Sequence, residues 1–408
     1  SGHFLTSALN ELMYVKETLL TRIGDKYSRY HLKKEIISQN IFGIDIEESA
    51  VEIAKLRLWL SLIEDVDTDS KKHIETLPNI EYNLVSGNSL IGWVNEKLTQ
   101  TSFAVPMTEE VKGIFKGLLV ESTKDTEYIE KARELLESPA LEDYIEAYCV
   151  LYSVYKNSTD EKAVRLKEIL TTVRDAIYNS INHSFLNYIN QQMNSTKLKR
   201  PGVSLQKFLE LRPFHWRVDF GPIIKRGGFD VIVGNPPHGS ELKDLDKKIC
   251  EIKYSLNERG MDSAKIFVER SVTLLLEKGI LSFVIPKPST YSYSWEDLRE
   301  FVMNLDITHC IDFGKAFENV KHEQIGLIFI NQPRKENAWK GGYYDKKNKE
   351  ILETNNIPSS LFLGYKIILS NMNKIEIELS EYILSKNFPN MDSFDIFRQN
   401  ILFSSVSC

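Results

Sequence analysis

The stretch Gly228-Phe229-Asp230-Val231-Ile232-Val233-Gly234-Asn235-Pro236-Pro237-His238 decides the fold class. Its first part is a short apolar run bounded by glycines, which predicts a strand over 229–233. Two successive prolines cannot continue a sheet, so the chain must turn directly after that strand. Gly234 lets another group come close to the backbone there. Open α/β sheets place their ligands at the carboxyl ends of strands, which makes 235–238 the first candidate site.

Working downstream, 262–278 reads as a helix, 280–285 as a strand, 295–304 as a helix, and 307–313 and 324–330 as two further strands. Upstream, 6–23 carries apolar residues at helical spacing, and 40–45 is a short strand ending in the acid Asp45. A helix is predicted over 47–63, with Val51, Ala54, Leu58 and Leu62 on one face, followed by a strand at 81–86 closed by Gly87-Asn88. Strands alternating with helices imply a parallel, doubly wound sheet. Between the two halves, 128–155 and 161–192 are long helical patterns separated by the turn Asn157-Ser158-Thr159-Asp160. They predict an inserted helical hairpin with its own core, lined by Leu166, Leu170, Val173, Ile177, Ile181 and Phe185. The chain thus divides into 1–95, an insertion over 96–213, a second α/β portion over 214–333, and short polar segments over 334–408.

Bulk properties bound the function. The 408 residues suffice for two or three domains, and 42% hydrophobic with 26% charged residues is ordinary for a globular protein. No apolar run reaches the roughly 20 residues of a membrane-spanning helix, and no leader is visible at Ser1. The four cysteines, Cys149, Cys250, Cys310 and Cys408, include no CxxC pair and read as reduced thiols, with no metal site. A net charge of −6 argues against nucleic-acid binding by bulk charge. Local basic clusters remain: Lys197, Lys199 and Arg200; Lys225 and Arg226; Lys243, Lys247 and Lys248; Lys346, Lys347 and Lys349. Each by itself is ordinarily a solvated face.

The turn itself suggests a chemistry. An exocyclic amine such as that of adenine is a poor nucleophile because its lone pair is delocalised into the ring. The Asn235 side-chain oxygen and the Pro236 carbonyl could each accept one of its N–H bonds, localising the lone pair by preorganised hydrogen bonding without a strong base. His238 offers a flat face on which a flipped base can stack.

With these residues in this order, the sequence resembles the adenine-N6 DNA methyltransferases with an NPPY-type motif, specifically the large type II (Eco57I-like) restriction–modification branch. That branch has Tyr or Phe where this chain has His238. Ser1-Gly2-His3-Phe4-Leu5 resembles the end of the glycine-rich cofactor loop, which implicates Gly2. Phe42-Gly43-Ile44-Asp45-Ile46-Glu47 resembles the second motif, which gives Asp45 and Ile46 to the cofactor, and Gly87-Asn88-Ser89-Leu90-Ile91-Gly92 resembles the third, which sets Asn88 against its adenine ring. Phe214-His215-Trp216 is typical of the branch, the run 262–286 resembles its scaffold, and 312–330 resembles the late motif, placing Phe317 beside the target base.

The resemblance covers about 1–330. It implies a Rossmann-like S-adenosylmethionine-dependent methyltransferase fold with an inserted α-helical hairpin, truncated at both ends, its first strand missing and a DNA-recognition region beginning at 334. The implied cofactor is S-adenosyl-L-methionine, and the implied partner is double-stranded DNA. Nuclease and specificity domains are expected in the remainder of the parent protein, and the location would be prokaryotic cytoplasm. Two other readings stay open: a phage-defence methyltransferase without a classical nuclease, and a non-catalytic DNA-binding remnant.

Overall fold

Only three residue pairs join the first two strands of the chain, and they run parallel: Gly43 beside Leu84, Ile44 beside Val85, Asp45 beside Ser86. The computed structural model in which they are seen describes residues 2–66, 77–94, 125–138, 140–195, 202–238, 242, 244–257, 259–315, 323–335 and 337–385. The chain divides into two units. The first comprises Ser1–Phe229 with Leu242–Tyr254, the second Asp230–Glu241 with Ser255–Cys408.

In the first unit, helices α1 (His3–Ile23), α2 (Arg29–Gln39) and α3 (Glu48–Ile63) enclose strands β1 (Gly43–Asp45) and β2 (Leu84–Ser86). Their core is Leu9, Met13, Ile36, Ile37, Leu58, Leu62 and Leu84, each at most 3% exposed. Burying aliphatic side chains of this size stabilises by about 1.5–3 kcal/mol each. The predicted face of α3 is the buried one: Val51, Ala54, Leu58 and Leu62 all lie inside. Asn83, fully buried, fastens the start of β2 by donating to the carbonyls of Ile37 (3.3 Å), Ser38 (2.9 Å) and Ile41 (3.1 Å). Its oxygen accepts from Tyr152.

The insertion has three described helices: α4 (Thr126–Leu135), α5 (Leu141–Lys156) and α6 (Asp160–Ser195). The single helical pattern predicted over 128–155 is therefore divided. The sequence reason is Pro139, which disfavours helical conformation at Ser138. The Ser138 hydroxyl donates to Asp143 and accepts from Ala140 N at 3.2 Å, holding the start of α5. The predicted stripe on α6, from Leu166 to Phe185, is at most 1% exposed throughout. Three short helices follow, α7 (Leu205–Leu209), α8 (Trp216–Asp219) and α9 (Gly221–Lys225). Helix α10 (Asp244–Lys253) also belongs to this unit and buries Ile249 and Cys250.

The second unit is a six-stranded sheet in the order β3-β4-β6-β5-β7-β8. Its strands are β3 (Phe229–Gly234), β4 (Leu275–Pro286), β5 (Leu305–Gly314), β6 (Gln324–Pro333), β7 (Ala338–Asp345) and β8 (Glu350–Pro358). Helices α11 (Ser263–Leu274), α12 (Glu296–Val302), α13 (Ser359–Tyr365) and α14 (Lys374–Ser385) accompany it. The expected parallel pairing is found between β1 and β2 and between β5 and β7, and β6 departs from it. Strand β6 runs antiparallel to both β4 and β5, with Pro286 and Gly314 each paired to Gln324. The physical cause is the short link from Gly314 to Gln324: a parallel return needs a crossover of a dozen or more residues. Strand β7 pairs in parallel with β5, and β8 closes a hairpin against β7. Residues 338–358, which the sequence assigns to a separate region, thus continue the sheet. Leu281, Phe283, Ile285, Cys310, Leu327 and Phe329 form its core with Val268 and Leu298 from the helices.

Candidate cofactor and catalytic loops

Asp45 stands at the carboxyl end of β1 and is exposed. One carboxylate oxygen accepts from Glu47 N at 2.9 Å, and the Asp45 carbonyl accepts from Gly87 N at 2.9 Å. The other carboxylate oxygen has no hydrogen-bond partner among the described residues. Ile46 beside it is 50% exposed, an apolar surface next to an open carboxylate. Gly2, in the left-handed region (φ 80°), is the N-cap of α1, and its carbonyl accepts from Thr6 N at 3.1 Å. The structure therefore brings Asp45, Ile46 and Asn88 to the adjoining ends of β1 and β2.

Asn88 follows β2 and is half-buried. Its amide donates to Asp246 Oδ1 at 3.1 Å, and its side-chain oxygen accepts from Leu90 N at 3.2 Å. Loop 88–93 lies against 212–216: Asn88 N donates to Arg212 O (2.8 Å), Phe214 N to Ile91 O (2.8 Å) and Trp216 N to Trp93 O (3.1 Å). Gly92 (φ 132°) is required at this seam, because a Cβ there would stand 2.0 Å from Phe214 O. His215, fully buried, accepts from Trp93 N on Nδ1 at 3.0 Å. Its proton therefore sits on Nε2, which donates to Asn182 Oδ1 at 3.0 Å. Trp216 Nε1 donates to Ser89 O at 3.0 Å. The Phe214-His215-Trp216 element is thus a frame for the Asn88 loop, and α6 of the insertion supplies part of that frame.

Sequence reasoning missed three participants. Arg212 donates to Ile46 O (2.9 Å) and to Ser86 Oγ (2.8 Å), tying together the ends of β1 and β2. Asp246 and Tyr254 reach the Asn88 loop from α10, Tyr254 through its hydroxyl to Leu90 O at 2.6 Å. No periodicity marks them. An Asp at the start of a helix and a Tyr just past its end look like ordinary dipole and packing residues.

In the second unit, β3 ends as expected and delivers Asn235, Pro236, Pro237 and His238 to a turn. The group that approaches Gly234 is the ring of Phe283, 3.0 Å from where a Cβ would be. Helix α11 starts with Asp262 capping Ala264 N at 2.9 Å, and the adjacent Ser263 hydroxyl donates to Pro237 O at 2.5 Å, pinning the turn. Asn235 is exposed, and its amide makes no hydrogen bond among the described residues. The Pro236 carbonyl likewise has no partner among them. His238 is half-buried. Its Nε2 lies 3.5 Å from Gln324 Nε2, and its buried Nδ1 has no partner among the described residues. Phe317 falls outside the described residues.

The remaining reactive side chains do not compete for a role. Cys149, Cys250 and Cys310 form no disulfide among the described residues, and burial pushes the Cys149 thiol up to about 12. Among the described residues no helix is long and apolar enough to cross a membrane.

A protein of Methanocaldococcus jannaschii named as a type II restriction enzyme and methyltransferase is 40% identical over 386 residues, which cover 91% of this chain and 32% of that one. The type II restriction enzyme and methyltransferase RM.Eco57I of Escherichia coli is 33% identical over 128 residues, 29% of this chain and 12% of that one. The chain therefore spans about a third of the first relative and about an eighth of the second. Among solved structures, the type IIL restriction-modification enzyme MmeI in complex with DNA matches 63% of this chain and 40% of its own, at 12% identity and a TM-score of 0.27. The sequence profile of one family matches residues 39–318, a span holding Asp45, Asn88 and the whole Asn235–His238 turn, and the chain belongs to that family, the Eco57I restriction-modification methylases.

Proposed function

We propose that this chain is the methyltransferase portion of a restriction–modification enzyme that methylates adenine N6 in a short sequence of duplex DNA. The observation that carries the proposal is the Asn235 amide: exposed, without a hydrogen-bond partner among the described residues, on a turn pinned by Ser263. An exposed amide held on a rigid support can act on a substrate without first breaking a bond of its own.

The methyl donor is S-adenosylmethionine, which supplies an electrophilic methyl group on a sulfonium. Residues of the first unit fit it. The open oxygen of Asp45 would take ribose hydroxyls, Ile46 would cover a purine face, and Asn88 keeps one N–H and one lone pair for the ring edge. On the DNA side, Asn235 Oδ1 and the Pro236 carbonyl would accept the two N6–H bonds, and His238 would stack on the extruded base. As the N6–methyl bond forms, the methyl–sulfur bond breaks, and N6 releases one proton to solvent.

Asn235→Ala is the test, in full-length protein with tritiated methyl transfer and nucleoside analysis for N6-methyladenine. Transfer should fall by about a hundredfold or more, as when a single preorganised donor or acceptor is lost. S-adenosylmethionine affinity should stay within about twofold. Retained methylation in the variant rejects the turn as the catalytic centre.

A further inference from the structure

We infer that Asp246 is a positioning residue that fixes the orientation of the Asn88 side-chain amide, and so the preference of the site for the adenine of the cofactor. The inference rests on the reading of Asn88 as the adenine contact. The two ends of an asparagine amide are nearly the same size, and only their partners decide which end donates. Here both partners are unambiguous. The Asp246 carboxylate, 9% exposed, can only accept, and it takes Asn88 Nδ2 at 3.1 Å. The Leu90 N–H can only donate, and it meets Asn88 Oδ1 at 3.2 Å. Turning the amide over would set oxygen against oxygen and N–H against N–H, leaving buried groups unsatisfied.

With that orientation locked, Asn88 retains one N–H and one lone pair. Adenine offers a matching edge, a ring-nitrogen acceptor beside an amino donor. Hypoxanthine replaces the amino donor with a carbonyl acceptor, so the same amide would face it with one oxygen opposed to another. Asp246 is held in place independently of Asn88. Helix α10 buries Ile249 and Cys250, Tyr254 donates to Leu90 O at 2.6 Å, and Lys253 donates to Gly92 O. Removing the carboxylate therefore leaves the amide oriented by the Leu90 N–H alone, without undocking the helix. Helix α10 also begins shortly after His238 in the chain, so the residue that orients the cofactor contact belongs to the segment that follows the catalytic turn.

The test is calorimetric binding of S-adenosylhomocysteine and its hypoxanthine analogue, S-inosylhomocysteine, to full-length wild type and to Asp246→Ala, Asp246→Asn and Asn88→Ala variants. Wild type should prefer the adenosyl ligand by about thirtyfold or more, because a polar site rejects a ligand that leaves its groups unpaired. In Asp246→Ala that preference should fall to about threefold, the amide being held only by the weaker contact from the Leu90 N–H. Asp246→Asn, whose own amide can present either an oxygen or an N–H, should restore it only in part. A purely structural role would weaken both ligands equally and leave their ratio unchanged, and that result in Asp246→Ala overturns the inference. Asp246→Ser, too short to reach the amide, gives the same reading should the alanine variant not fold. Asn88→Ala separates the two ideas. If it keeps the wild-type ratio, Asn88 is not the adenine contact, and the inference falls with that reading rather than on Asp246.

Discussion

At residue scale the departure of greatest consequence is His238, where the related motif has a phenol or phenyl ring. Imidazole presents a flat face of smaller area, and in this chain its Nδ1 is buried without a partner among the described residues. Base–aromatic stacking contributes about 1–3 kcal/mol per base. His238→Ala should therefore lower kcat/KM for DNA methylation by about ten- to a hundredfold, with cofactor affinity unmoved. His238→Tyr should keep or raise it. Steady-state kinetics on duplex DNA decide the matter, and an alanine variant as active as wild type would show that position 238 does not touch the base. These residues were legible in the sequence because a Pro-Pro pair after an apolar run leaves the backbone no other course. Arg212, Asp246 and Ser263 were not, since their roles depend on which loop lies opposite them.

At the scale of elements, what the sequence reveals depends on whether the deciding residues are local. The α6 stripe was readable from its own spacing, and the β3 turn from its own prolines. The direction of β6 was not, because it follows from the length of a link and from partners far away in the chain. The join between α5 and the segment leading into β1 is another long-range feature. Lys156, at the end of α5, donates to Ser38 O at 2.9 Å and lies 5.1 Å above the Phe42 ring and 4.7 Å above that of Tyr152. Burial lowers its pKa from 10.5 to about 8. Between those values the unfolded chain holds a proton that the folded chain has released, so stability rises with pH across this window. The cost of charging the buried amine is fully present below about 8. Lys156→Met removes that cost. Relative to wild type, the variant should gain at most about 3 kcal/mol near neutral pH, and the gain should shrink as pH approaches 10.5. Urea midpoints for the pair, near neutral pH and near the alkaline end, check this. An equal difference at both would mean that charge burial is not what distinguishes them.

At the scale of the whole molecule, a net charge of −6 and the proposed DNA substrate are reconciled by where the cations lie. The strand registers put the carboxyl end of β4 at Pro286, the start of β6 at Gln324 and the end of β5 at Gly314 on one edge of the sheet. Gln324 in turn reaches His238 at 3.5 Å, so the proposed catalytic turn belongs to that edge. Because β7 runs parallel to β5, the β7–β8 turn is brought there too, and it carries Lys346, Lys347 and Lys349, all exposed. Lys346 is steadied by donating to Lys315 O at 2.8 Å. On the proposed reading, a lysine turn on this edge would meet the phosphates on either side of an extruded base, whatever the overall charge. Binding of full-length protein to duplex DNA should then weaken linearly in log–log salt titrations, with each phosphate contact contributing a slope of about −0.9. Replacing Lys346, Lys347 and Lys349 together by Gln should make the slope shallower by about two units or more and weaken binding at low salt. The outcomes separate cleanly. Wild type that binds duplex DNA with no salt dependence, or not at all, rejects DNA as the substrate. Wild type that shows the slope, with a triple variant whose slope is the same, keeps the substrate and moves the phosphate contacts away from this hairpin.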